Sequence, residues 1–461
     1  MTSGLGCEGE FDPNAFTSHS SSSEPRLPPP PNPNNPPPTQ QNGQLAVSIT
    51  SPPPMSRATD SVEIMIDAKE SKGATPVVEL LVDGKTIGEL PSPPYEFHWD
   101  SNQSSEGRHQ ITARAKANGQ HLDVSMEVVA IPRSRYKGPY PPSTLVKAMS
   151  LDWSSHKRKA DGADNFPVTW CEDDHQYTAW GDGYGFARTG PKYSLGFSRI
   201  EGGADSYYAQ DIVGGNAGGT DLVGKSYGIL CLNGILYMWY NPGSGADGYK
   251  EQRLYTSTNK ARSWSRRSVN FPRSDNLVNL TFVQFGRNYG GARDNFVYIY
   301  ANHIKDSSGL KVQKPGEIAL IRVPKDKLED RSAYQFFSGL DGKGAPQWAS
   351  QANSRQPVFR DPNGVGWNTS VTFNAGIKRY ILMTEHNTTF KGYLGVFESP
   401  EPWGPWSMIE YKQYGGIPNT AFFWNISNKW TSSDGSSFTM IFTGIGANDS
   451  WNTVNGVFTL Y

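Results

Sequence analysis

Five times between residues 174 and 443 the chain repeats one short pattern: a turn, an aromatic-rich strand, and a small polar or charged group where the strand ends. The copies occupy residues 174–182, 233–241, 294–302, 378–385 and 435–443. Outer strands follow, as at 194–199, 254–259 and 394–398, and one more strand precedes each copy, as at 167–170, 228–231 and 370–373. A unit of this kind cannot bury its own apolar faces, so the copies must stack on one another. Four strands per unit at a spacing of roughly 60 residues predict an all-β, five-bladed β-propeller over 150–461, since seven blades would leave only ~45 residues each. One wider gap is filled by residues 305–317 and a loop at 341–362, and helix is expected only at 325–332. The composition agrees: 48 Gly supply turns, while 13 Trp, 22 Tyr and 21 Phe suit half-buried pleated surfaces.

Upstream the periodicity is simpler. Alternating runs at 45–50, 62–67, 78–82, 95–99, 110–115 and 124–129 read as strands, with Asp83 and Gly84 as a hairpin turn. Six short strands in under 100 residues predict a β-sandwich over 44–131. Residues 1–43 are dominated by Ser, Pro and Asn and cannot bury enough apolar surface to order themselves, so a disordered, extended leader is expected. Residues 132–149 read as a Pro-rich linker.

Lys and Arg number 43 against 44 Asp and Glu, a net charge of −1 that gives no long-range pull on nucleic acid or anionic membrane. No apolar run approaches the ~18 residues of a membrane helix. The three cysteines have no zinc-site spacing. Cys171 and Cys231 sit at similar points of adjacent repeats, so a disulfide and two buried free thiols both remain open. The N-terminus lacks the charged and apolar segments of a signal peptide, although the residues before Cys7 resemble a lipidation site. A secreted, periplasmic or surface-held monomer is expected.

In a propeller the innermost strand of each blade starts at the end where the second strand finishes. Residues at those two places converge on the axial funnel. The rule collects Asp164, Asn165 and Asp182 from blade one, and Asp221, Lys225 and Asn241 from blade two. Blade three adds Asn279, Asn302 and His303; blade four adds Trp367, Asn368, Glu385 and His386; blade five adds Asn419. Tyr184 follows Asp182 in the same Gly-rich turn. Carboxylates, amides and imidazoles in such a ring suit a polysaccharide or oligosaccharide. If two carboxylates face each other, glycoside hydrolysis is the simplest chemistry, with Asp164, Asp182 and Glu385 as catalytic candidates and the others holding the sugar. A lyase would instead use Lys225 against a uronate, with His303 or His386 and Tyr184 moving protons. A lectin or adhesin would bind without turnover. No cofactor is called for; the acids and amides leave room for a structural calcium, but no oxygen-ligand loop of known spacing supports one.

Several motifs are familiar. VDGKTIG at 82–88, PYEFHWD at 94–100 and GRH at 107–109 resemble bacterial immunoglobulin-like repeats, which implies an accessory module without chemistry. FPVTW at 166–170, YTAWGDGYGF at 177–186, FGRNYGGARD at 285–294, VTFNAGIKRY at 371–380 and SPEPWGPW at 399–406 resemble the DUF4185-type propeller proteins over nearly all of 150–461. That resemblance implies the five-bladed architecture of arabinanase-like glycoside hydrolases and an extracellular glycan-degrading activity. It also implies that Asp164, at the start of blade one's inner strand, is the base. The third-blade glutamate acid of those hydrolases has no counterpart, Asn279 standing near its place, so Asp182 or Glu385 would be the acid.

Overall fold

The computed structural model describes residues 37–243, 251–305, 311–366, 368–415, 418–444 and 449–461. Trp367, one of the expected sugar-binding residues, lies outside them.

The N-terminal alternation folds as a sandwich. One sheet joins Thr39–Gln41, Leu45–Ser51, Ser61–Glu70 and Tyr95–Asp100; the other joins Arg57–Ala58, Gln120–Ala130, Gly107–Ala117, Val77–Val82 and Lys85–Leu90. Every second residue faces inward, so Ile49, Ile64, Leu80, Phe97, Trp99 and Ile111 form a closed apolar layer between the sheets. Asp83 and Gly84 both take positive φ, as the tight hairpin between two of these strands requires.

The repeats fold as five sheets in a ring. Blade one is Val168–Trp170, Gln176–Gly183, Tyr193–Glu201 and Tyr208–Val213, each antiparallel to the next. Blade two is Gly224–Leu232, Ile235–Pro242, Glu251–Ser257 and Ser265–Pro272; blade four is Thr369–Asn374, Arg379–Thr384, Tyr393–Ser399 and Ser407–Gln413. Each inner strand packs on the inner strand of the following blade, and that of blade five, Phe422–Thr431, returns to blade one. Blade five closes the ring with both ends of the propeller: its outer strand, Val146–Lys159, pairs with the terminal strand Trp451–Leu460. That strand begins inside the stretch read as linker. Such closure satisfies an edge that would otherwise stay open.

Blade three accounts for the wide gap, and more regularly than a loop. After Leu277–Phe282, Phe296–His303 and Gly316–Pro324 come Gln335–Leu340 and Pro346–Ala349, while Pro357–Asp361 pairs with the other half of Gly316–Pro324. The helix expected at 325–332 is two single 3₁₀ turns, Lys325–Lys327 and Arg331–Ala333, because Asp330 caps a fresh turn through the Ser332 amide.

Stacked blades bury the aromatic strands. Trp180, Trp239, Trp424 and Trp451 are wholly enclosed. Trp180 donates to Ser198 Oγ at 2.8 Å and needs two glycines beside it, since a Cβ on Gly196 or Gly214 would meet its ring at 2.2 or 2.5 Å. Cys171 and Cys231 form a disulfide that ties blade one to blade two. For a loop of 60 residues, chain entropy alone assigns it about 4 kcal/mol. The sandwich docks against blade four at the end away from the funnel: Arg57 donates to the Pro142 carbonyl and Ser407 Oγ, and Tyr461 donates to Glu106 at 2.8 Å.

Candidate active site

The residues that open the inner strands and end the second strands meet at one end of the ring. There the inner strands do not run straight. Pairing slips between Ser226 and Gly228 in blade two, between Val278 and Thr281 in blade three, and between Phe422 and Asn425 in blade five. Bulges re-aim side chains at the rims of closed sheets. Here they accompany a buried cluster of Tyr227, Val278, Ile304, Phe422 and Phe423. The sequence rule, which collected polar residues at strand ends, did not name these apolar ones.

In blade one a single bridge joins Asp164 to Gly181, with reciprocal N–H···O bonds of 2.9 and 2.8 Å. Asn165 and Asp182 flank it with φ of 57° and 51°, a left-handed turn that Asn and Asp tolerate better than most. Lys225 arrives from blade two and donates to Asp182 Oδ1 at 2.8 Å and to the Ser194 carbonyl at 3.0 Å. Lys225 and Asp164 meet over the bare backbone of Gly181, where a Cβ would lie 2.6 Å from Lys225 Cδ and 2.8 Å from Asp164 Oδ1. Burial pushes the Asp164 carboxyl well above its ordinary range; Lys225 opposes this, and Asp449 and Asp182 add to it. Asp449, also raised by burial and by Asp182, was not foreseen, because it stands just before the terminal strand Trp451–Leu460 and not at an end that the rule covers.

Amides carry the site across the funnel. Asn165 donates to Asp164 at 2.7 Å and accepts from Asn368 of blade four at 3.2 Å. Asn302 donates to the Gly366 carbonyl and accepts from Thr369 at 2.8 Å. Asn241 is buried with both amide atoms unpartnered among the described residues. Glu385 is wholly buried next to Gly366, where a Cβ would come within 2.6 Å of its own. Its Oε1 accepts from the Phe390 amide at 3.1 Å, its Oε2 has no partner among the described residues, and burial pushes it up to about 8. It is therefore protonated at neutral pH.

Strand alternation removes the two histidines from this ring. Asn302 faces inward, so His303 faces out to Glu317 at 3.0 Å. Glu385 likewise sends His386 to the outer strand, where its ring stacks on Tyr411 at 3.7 Å and Asn387 lies 2.9 Å from Nδ1. Burial pushes His386 down to about 4, so it stays neutral. Tyr184 is exposed on the turn after Asp182, and Asp221 and Asn419 lie on the surface. Among the described residues the one trio of metal-ligand types within reach is Cys171, Glu172 and Cys231, whose sulfurs are bonded to each other.

Residues 236–436 match the family described as a domain of unknown function, DUF4185, and residues 46–113 match the bacterial Ig domain. The DUF4185 match runs from the second strand of blade two to the turn before Ser437–Thr443, so the blade-one motifs lie outside it. No curated protein matches the chain. Among solved structures, a candidate hydrolase from Bacteroides ovatus is 11% identical with a TM-score of 0.44, over 65% of this chain and 87% of that one. An endo-arabinase from Bacteroides thetaiotaomicron is 10% identical with a TM-score of 0.40, over 68% and 98%. A fibronectin(III)-like module of Clostridium thermocellum is 26% identical with a TM-score of 0.17, over 19% and 97%. The sandwich thus contains a segment similar to the bacterial Ig domain, and the propeller that follows contains a segment similar to the DUF4185 family.

Proposed function

We propose that the funnel is the active site of a glycoside hydrolase that cleaves a polysaccharide outside the cytoplasm. The observation that carries this reading is a pair of buried carboxyl groups in one ring: Asp164 beside Lys225 on blade one, and the protonated Glu385 on blade four. Asn165 and Asn368 link the two blades between them. Glu385 is the general acid and gives its proton to the leaving glycosidic oxygen. Asp164 takes the complementary role, activating water or attacking the anomeric carbon, and Lys225 stabilises its ionised form. Asp182, ion-paired to Lys225, holds that lysine in place.

The Cys171–Cys231 disulfide supports an oxidising compartment. No described helix is long and apolar enough to cross a membrane. A lyase is less well served, because neither His303 nor His386 faces the funnel. The test is release of new reducing ends by the full chain from plant, algal and bacterial polysaccharides, run beside Asp164→Asn and Glu385→Gln. Turnover lost in either variant supports the reading. Binding of a glycan with no turnover would replace it with a lectin.

A further inference from the structure

On the other face of the strand that sends Asn302 into the funnel lies a second cavity, of about 410 Å³, lined by His303, Glu317 and Arg360 with Asp275, Asn276 and Arg355. That volume suits one or two sugar units and falls within the range of small-ligand sites. Its charges do not balance. Glu317 is approached by His303 at 3.0 Å, Lys305 at 3.6 Å and Arg360 at 3.4 Å, and Asp275 by Arg331 at 3.9 Å. Arg355 is half-buried and donates to the Ala352 carbonyl, but among the described residues it has no carboxylate within ion-pair distance. Four permanent cations (Lys305, Arg331, Arg355 and Arg360) thus surround two carboxylates. Arg355 therefore stands at the cavity wall with no carboxylate of its own among the described residues.

We propose that this cavity binds the carboxylate of a uronic acid residue in an acidic polysaccharide, so that the chain grips a charged sugar beside the funnel. Arg355 and Arg360 supply the forked N–H pairs that match a carboxylate. Asn276 and the Glu317 oxygens face the same space and serve the ring hydroxyls. His303 and Asn302 are consecutive, so the cavity and the funnel lie on opposite faces of one strand end. The inference takes its polysaccharide ligand from the proposed function but needs no turnover.

The test is affinity electrophoresis of the full chain in gels containing polygalacturonate, alginate or hyaluronan, each beside its carboxyl-reduced form. At least one acidic polymer is expected to retard the protein about tenfold more strongly than its reduced counterpart. Arg355→Gln and Arg360→Gln should each abolish most of that difference, and Arg360→Lys should keep part of it. Arg360 is exposed, so its variants report on binding even if Arg355→Gln misfolds. Equal retardation by every acidic and reduced pair, or selectivity indifferent to Arg360→Gln, overturns the inference. Reducing-end release is read separately: no turnover with acid-selective binding intact sinks the hydrolase and leaves this site standing.

Discussion

Blade four buries two glutamates at its opposite ends, and they differ in everything but burial. Glu398, 4% exposed, lies 2.7 Å from Arg379, accepts from Ser143 at 2.8 Å and faces Arg57 of the sandwich. Glu385, 1% exposed, has one backbone N–H on one oxygen and, among the described residues, nothing on the other. A buried charge is tolerated when it is paired, and an unpaired one escapes by taking up a proton. Glu398 therefore belongs to the framework and helps seat the Ig domain. Glu385 sits at the end where Asp164, Asp182, Asp449 and Lys225 gather, and a carboxyl kept neutral there suits acid catalysis.

Exchanging the two glutamates for glutamine should separate these roles. Glu385→Gln is expected to cost a factor of about 10²–10⁴ in kcat, as removal of a general acid does, with the fold intact. Its stability should rise at pH 7. The native carboxyl titrates near 8 and the unfolded one near its ordinary value, so folding at neutral pH carries a penalty on the order of 3 kcal/mol. That penalty is absent below the unfolded value and grows as pH rises towards 8, and urea melts from pH 4 to pH 8 would show the wild type losing more stability than the variant, by the share that Glu385 contributes. Glu398→Gln should do the reverse. It strands Arg379 without its partner, costs about 3–5 kcal/mol in a urea melt, and leaves the kcat of the folded fraction near the wild-type value. Stability loss in Glu385→Gln with full activity would erase the contrast.

A smaller effect sharpens the difference between framework and site. Replacing Cys171 and Cys231 together by serine should lower stability by about 2–4 kcal/mol, with kcat unchanged, because the bridge ties blades and touches no funnel carboxyl. The smallest expected effect is that of Lys225→Met, about tenfold in kcat/KM. It removes the cation that favours ionised Asp164, and so should move the acidic limb of the pH profile upward.

Much of the architecture was legible in residues 174–443, because each repeat had to carry its own turn and aromatic strand. Ring closure was not legible: nothing local in Val146–Lys159 says that its partner is Trp451–Leu460, some 300 residues away. The extra strands of blade three were hidden for a similar reason, since Pro357–Asp361 pairs back on a strand already assigned to another neighbour. At the funnel, strand position found Asp164, Asn165, Asp182, Lys225, Asn302, Asn368 and Glu385. Position alone could not say which way consecutive residues face, so His303 and His386 were carried in with Asn302 and Glu385. Tyr227 and Phe423 escaped because the rule collected polar residues, and the bulges that accompany them have no signal at strand ends.

The central claim is that Glu385 donates the catalytic proton while Asp164 acts ionised. The pH dependence of kcat/KM on the best polysaccharide substrate tests it most directly. Activity should fall as pH drops through the raised value of Asp164, and fall again as pH rises through about 8, where Glu385 loses its proton. The account predicts that the alkaline limb disappears from the residual activity of Glu385→Gln. An alkaline limb that stays in place in that variant would contradict it.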